Sequence, residues 1–342
     1  MIQEAIAMLL DGKDLGRERA REVMDEIMKG EATPAQIGGL LIALRSKGET
    51  ADEIAGSAEA MRDHALTVSP HRRDVIDTAG TGGDGKGTLN ISTAAGLVAA
   101  AAGASVAKHG NRAVSSKSGS ADVLEALGFD IDPGPERISA SIDGLGFGFL
   151  FAPSHHPAMK HAGPVRRELG TRTVFNVLGP LTNPAGARSQ LLGVYAESLV
   201  PVIADVLVRL RARRAIVVHG AGGIDELSPA GPNWVVEVDG DEVRRTVIDP
   251  EQLGVERCDP GALSGGTPQE NAEDIRRIMD GETGPKRDAV LLNAAAAMLV
   301  SGRVKDLAEG LDAVRDAVDS GGAGERLEDL IAFSRGGERA TV

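Results

Sequence analysis

Hydrophobic periodicity divides this chain near residue 74. Over the first 67 residues apolar side chains recur only at helical spacing, as in Ile2, Ile6, Leu9 and Leu10. Thr33-Pro34-Ala35-Gln36 reads as a helix start: Thr33 caps, Pro34 suits the first turn, and Gln36 can close a capping box ahead of the stripe Ile37, Leu40, Leu41 and Leu44. Thr50-Ala51-Asp52-Glu53 repeats the pattern ahead of Ile54, Ala58 and Met61. From residue 74 onward short β-prone runs alternate with helical ones. The expected strands are 75–77, 105–107, 147–151, 191–195, 216–218 and 234–238, with helices such as 92–102 and 199–211 between them. That alternation predicts an α/β fold: a small N-terminal helical domain and a larger domain with a mainly parallel central sheet flanked by helices. The expected division is 1–70 helical, joined by the Gly-, Pro- and Arg-rich interruption 163–188, with 71–162 and 189–342 forming the α/β part.

Composition excludes some functions. The formal net charge of −13 argues against a general nucleic-acid binder. Cys258 is the single cysteine, so no internal disulfide forms, as in a reducing compartment. Met1-Ile2-Gln3-Glu4 lacks the basic and apolar stretches of a signal peptide, and the longest apolar run, around 94–102, is too short to span a membrane. A cytoplasmic protein with no membrane partner is expected.

The densest chemistry lies in 77–93, DTAGTGGDGKGTLNIST, which leaves a strand, crosses a glycine loop and enters a helix. Glycines let backbone N–H groups converge on one point, and the helix start favours an anion. Two common motifs nearly fit. Gly80-x-Gly82-x-x-Gly85 resembles a dinucleotide fingerprint, but no Asp or Glu occurs from Gly85 to Ala121 to hold a ribose. Gly80 to Lys86 resembles a P-loop, but Gly87 stands where Ser or Thr would reach Mg2+. The acid-free stretch is itself informative: Lys86, Lys108, Arg112 and Lys117 form a basic island in an acidic chain, suited to a ligand with several phosphates. Lys108-His109-Gly110-Asn111-Arg112 is expected just after a strand, where α/β ligand sites collect.

Other clusters are ambiguous alone. Asp225-Glu226, after His219-Gly220-Ala221-Gly222-Gly223, offers hard oxygen ligands for Mg2+, although a solvated acidic pair is the commoner meaning. Arg166-Arg167 offers a carboxylate clamp or a surface pair. His155, His156 and His161 match no zinc spacing, and no Gly-x-Ser-x-Gly elbow is present.

Taken together, 77–93, KHGNRAVSSKSGS at 108–120, FAPSHHPAMKHAGPVRR at 151–167, NVLGPLTNPA at 176–185 and HGAGGIDELS at 219–228 resemble the anthranilate phosphoribosyltransferases of tryptophan synthesis. The resemblance implies a helical domain, a hinge and an α/β domain, paired as a homodimer through the helical part. It also implies anthranilate and 5-phosphoribosyl 1-pyrophosphate as substrates, with Mg2+ at about two ions per subunit. Carried over, the donor site comprises Gly80, Gly83, Asp84, Thr88, Asn90, Ile91, Ser92, Thr93, Lys108, His109, Gly110, Asn111, Arg112, Ala113, Val114, Ser115, Ser116 and Ser120. Gly80, Asn111, Arg166, His109, His156 and Gly179 are implied around anthranilate, and Ser92, Asp225 and Glu226 around the metal. No residue is implied as general acid or base. A pyrimidine nucleoside phosphorylase would share the fold, but Asp77 and Asp84 would repel free phosphate there unless Mg2+ intervened.

Overall fold

The computed structural model describes residues 1–113 and 116–337. Four helices come first: α1 (Ile2–Leu10), α2 (Gly16–Met28), α3 (Pro34–Lys47) and α4 (Ala51–Asp63). Both expected capping boxes form, Thr33 with Gln36 and Thr50 with Glu53. Each cap satisfies orphan donors and contributes on the order of 1 kcal/mol. Helices α2 and α4 approach closely at Gly56, where a Cβ would meet the Arg17 carbonyl at 2.1 Å.

The alternating part runs β1 (Ile76–Gly80), α5 (Ile91–Ala101), β2 (Val106–Gly110), α6 (Ser120–Leu127), α7 (Pro135–Leu145), β3 (Phe147–Phe151) and the short α8 (Ala152–His155). Then come α9 (Gly163–Leu169), α10 (Phe175–Leu178), β4 (Ser189–Gly193), α11 (Leu199–Arg209), β5 (Arg214–His219), β6 (Asn233–Asp239) and β7 (Glu242–Ile248). The chain closes with α12 (Pro268–Met279), α13 (Pro285–Ser301), α14 (Leu307–Asp319) and α15 (Gly322–Ser334). Among the described residues no helix is long and apolar enough to cross a membrane.

The strands form one sheet in the order β3-β2-β1-β4-β5-β6-β7. Neighbours from β3 to β5 run parallel, as expected, while β5-β6 and β6-β7 are antiparallel. Two strand readings need correction. Strand β7 escaped the sequence pattern because Glu-Val-Arg-Arg-Thr-Val-Ile is exposed along most of its length at the sheet edge. Strand β2 extends to Gly110, so Lys108 and His109 lie inside the strand, not after it; pairing with β3 continues through Gly110 and Phe151.

Alternate strand residues face two cores, as the pleat requires. Leu191, Ile216 and Val218 join α5 and α12 to α15 on one face. Leu192, Val217 and Val236 join α1 to α4 and α11 on the other. Ala162, Val165, Val174, Phe175, Val177, Leu178 and Leu181 sit in that second core beside the first four helices. Strand order reverses between β1 and β4, the crevice where open α/β sheets bind ligands.

Candidate active site

Strand β1 delivers the chain into that crevice. Gly82 and Gly83 turn with φ of 63° and 76°, a left-handed backbone that glycine adopts freely. At Gly80 a Cβ would lie 2.5 Å from Asp225 Oδ2, and at Gly193 on β4 a Cβ would lie 1.6 Å from the Asp225 carbonyl oxygen. The missing side chains therefore make room for the Asp225-Glu226 segment across the ends of β1 and β4. The Gly82 N–H donates to Asp225 Oδ2 at 2.7 Å, and the Ser92 N–H donates to Glu226 Oε1 at 3.1 Å. The first turn of α5 thus meets an acidic side chain.

Lys108 crosses beneath this loop. Its Nζ donates to the Thr78 carbonyl at 2.6 Å and to Ser92 Oγ at 3.3 Å, and the residue is 1% exposed. Burial lowers its pKa, opposed by Asp77, Glu226 and Asp225. The acids move the other way. Burial, then repulsion from Asp84, raises Asp225; burial, then repulsion from Asp225, raises Glu226. Asp77 is pushed up to about 6 by burial, against the pull of Lys108 and its hydrogen bonds. Crowded carboxylates with raised proton affinity and a nearby hydroxyl suit a hard cation. Among the described residues no three His, Cys, Asp or Glu side chains gather to hold a metal. Mg2+ in general keeps waters and takes phosphate oxygens, so it needs few protein ligands.

These groups line one cleft of about 390 Å³. Gly80, Gly83, Asp84, Thr88, Asn90, Ser92, Lys108, His109, Gly110, Asn111, Arg112, Ala113, Ser116, Ser120, Arg166, Gly179, Asp225 and Glu226 all border it. Ile91 lies in the apolar core instead, its side chain carried inward by the first turn of α5. Thr93 is fully buried and its Oγ1 donates to Ser120 Oγ at 3.1 Å. His156 stands off the cleft wall, with its ring 5.1 Å from that of His109. Val114 and Ser115 lie outside the described residues. Arg112 reaches the cleft rim, but its guanidinium pairs with Asp122 at 3.0 Å and Glu125 at 2.7 Å.

The far end of the cleft has another character. Arg166 on α9 lies over the Phe175 ring at 5.1 Å, and burial lowers its pKa without removing its charge. His109 Nδ1 lies 3.1 Å from the Gly179 carbonyl, so it carries the proton and Nε2 carries the lone pair. Burial holds His109 neutral, its pKa lowered to about 3, and holds His156 at about 4.

Sequence reasoning missed three participants. Asn183 hydrogen-bonds Asp77 at 2.7 Å, Arg172 donates to the Gly83 carbonyl and lies over the Tyr195 ring at 4.2 Å, and the Tyr195 N–H donates to Thr81 Oγ1 at 3.0 Å. Asn183 lies in the run 176–185 that carries the resemblance, but nothing local to any of the three marks its partner. The contacts with Asp77, Gly83 and Thr81 join residues about 90 or more positions apart.

A helical bundle followed by an α/β sheet is the two-part architecture of the glycosyl transferase family. Residues 3–65 match the glycosyl transferase family, helical bundle domain, and residues 72–324 match the glycosyl transferase family, a/b domain. The anthranilate phosphoribosyltransferase of Anaeromyxobacter sp. (strain K) is 54% identical, over 97% of this chain and 98% of the relative. That of Bradyrhizobium diazoefficiens is 48% identical over 98% and 99%. The crystal structure of the Thermus thermophilus enzyme superposes with a TM-score of 0.92 at 51% identity, covering 97% of this chain and 99% of that one. The Saccharomyces cerevisiae enzyme in complex with PRPP and Mg gives 0.87 at 29% identity, covering 98% of each. The chain belongs to the anthranilate phosphoribosyltransferase family.

Proposed function

We propose that this chain transfers the phosphoribosyl group of 5-phosphoribosyl 1-pyrophosphate to the amine of anthranilate, releasing pyrophosphate, with the residues above in the following roles. One observation carries the reading. A single cleft joins a glycine loop, the buried cation Lys108 and the acidic pair at one end to Arg166, Asn111 and a neutral His109 at the other. The first end suits a polyphosphate and the second an aromatic carboxylate.

Gly80, Gly83, Thr88, Ser92 and Lys108 hold the donor, with Asn90 bracing the loop through Ser118 and Asn271. Asp225, Glu226 and Ser92 would hold Mg2+, which when bound neutralises the pyrophosphate; about two ions per subunit fit such a donor. Arg166 and Asn111 face the carboxylate of anthranilate, and Gly179 lines the ring's path. An amine on an aromatic ring is unprotonated at neutral pH, so attack needs no strong base. His109 Nε2, a buried acceptor without a partner among the described residues, suits the amine's N–H. The anomeric carbon gains positive character as pyrophosphate departs. The protein's work is placement and charge stabilisation.

The helical unit is taken as 1–70 with 163–188, supported by the shared apolar core. Pairing of two copies through that unit is supported by Leu10 and Ile42, exposed on its surface. A cytoplasmic location accords with the biosynthetic relatives. The test is product fluorescence with both substrates, with and without Mg2+. Turnover only with all three is expected; full turnover in EDTA, or none in Mg2+, overturns the reading.

A further inference from the structure

One wall of the cleft, Gly179-Pro180, belongs to the segment after α10, and three adjacent strands hold that segment. From β2, His109 Nδ1 donates to the Gly179 carbonyl at 3.1 Å. From β4, Gln190 Nε2 donates to the Pro180 carbonyl at 2.8 Å. Asn183 closes the set: its Nδ2 donates to Asp77 Oδ2 on β1 and to the Ala107 carbonyl on β2, both at 2.7 Å. Every polar group of the Asn183 side chain is used, because its Oδ1 accepts the Ala185 N–H at 2.8 Å. The other oxygen of Asp77 accepts the His109 N–H at 3.2 Å.

Asp77 is 0% exposed, Asn183 4% and Gln190 3%. A parallel strand interior forms well from apolar residues alone. Burying the Asp77 acid and the Asn183 amide there costs free energy unless their bonds are made, and made in one geometry. What that geometry fixes is the distance between two walls. Ala107, held by Asn183, is the residue before Lys108 and His109, while Asn183 lies three residues beyond Pro180. The donor side and the acceptor side of the cleft are thus tied through the same amide.

We propose that Asp77 and Asn183 are positioning residues of the transfer reaction, setting the acceptor wall Gly179-Pro180 against Lys108 and His109 so that the amine meets the anomeric carbon. The inference rests on the function proposed above. It separates two quantities that a merely structural role would move together. Donor binding draws on the loop 80–92 and on Lys108 Nζ, whose hydrogen bonds go to Thr78 and Ser92 and not to Asn183. Attack geometry depends on the clamp, and a misplacement of about 1 Å costs on the order of 10²-fold in rate. A displaced amine also leaves the anomeric carbon open to water. Then the bond to pyrophosphate breaks with its electron pair leaving on oxygen, a bond to water oxygen forms, and the water proton passes to solvent, giving ribose 5-phosphate.

The experiment compares Asn183→Ala with Gln190→Met. The second variant removes one tie to the same wall without stranding a buried carboxylate, so it reports even if the first does not fold. Wild-type turnover with anthranilate, donor and Mg2+ is the control, and its absence would count against the function, not the clamp. Expected for Asn183→Ala is a kcat lower by about 10–100-fold, a donor Kd by calorimetry within about threefold, and more pyrophosphate released per product formed. Gln190→Met should move the same quantities the same way by less. The clamp is refuted if donor Kd rises in step with the loss of kcat, or if kcat and the ratio of pyrophosphate to product are unchanged in the folded variants.

Discussion

Lys108→Met keeps the length of a side chain and removes its charge from among Asp77, Asp225 and Glu226. Removing one partner from a buried charged set typically costs about 3–5 kcal/mol, because the remaining charges are left uncompensated. Here the acids have an escape. All three have raised proton affinity already, and Asp77 stands at about 6 even with Lys108 beside it. Without Lys108 each rises further and takes up a proton as the pH falls. The sign follows. A carboxylate whose pKa is higher folded than unfolded binds more protons in the native state, so stability falls as pH rises through that interval. The variant extends the interval upward, and each added pKa unit costs about 1.4 kcal/mol. At pH 8.5 in EDTA the variant should melt on the order of 10 °C below the wild type. At pH 6 the gap should be less than half as large. The assay is thermal unfolding by far-ultraviolet circular dichroism. Fluorescence serves poorly, because the single tryptophan, Trp234, is 58% exposed. A gap equal at both pH values, or wider at pH 6, would show that Lys108 does not compensate these acids.

Arg166→Ala should raise the anthranilate Kd by an amount equivalent to about 1.5–3 kcal/mol and leave donor binding nearly intact; calorimetry showing the reverse would reassign Arg166. The double change Asp225→Asn with Glu226→Gln should cost more kcat than His109→Ala at saturating substrates and raise the Mg2+ needed for half activity. A Mg2+ titration in which His109→Ala is worse throughout would point to base catalysis, normally worth about 10²–10⁴-fold. Gly193→Ala places a methyl against the Asp225 carbonyl, at an ideal distance of 1.6 Å, so the acidic segment must move. Loss of the Mg2+ response with preserved circular dichroism is the expected result, and an unaltered Mg2+ dependence contradicts it.

The donor end of the cleft was legible because its chemistry is contiguous: 77–93 carries the strand end, the glycines, the hydroxyls and the helix start in one run. The capping boxes at Thr33 and Thr50 were legible for the same reason, since each spans four residues. Strand β7 was not, because an edge strand has no buried alternate face to mark it. The place of Lys108 was misread by one element. A lysine normally ends a strand pattern, yet here burial is made tolerable by the Thr78 carbonyl and nearby carboxylates, which no local window contains. The Asp77 to Asn183 bond spans 106 positions, and the sequence carries no periodicity that could announce it.

The second apolar core has a consequence for synthesis. Helices α1 to α4 leave the ribosome first, but Val165, Phe175, Leu178 and Leu181, which cover part of their apolar face, follow later. About 120 residues separate the end of α4 from Leu181, roughly 6–24 s at translation rates of about 5–20 residues per second. During that interval the α2–α4 pair, closed through Gly56, has both of its partners outside the ribosome and can form. The apolar face that Val165 to Leu181 later cover has no such partner yet. The nascent chain therefore presents an incomplete apolar surface for seconds. Slowing translation between residues 63 and 181 should lengthen the time for which chaperones can engage it.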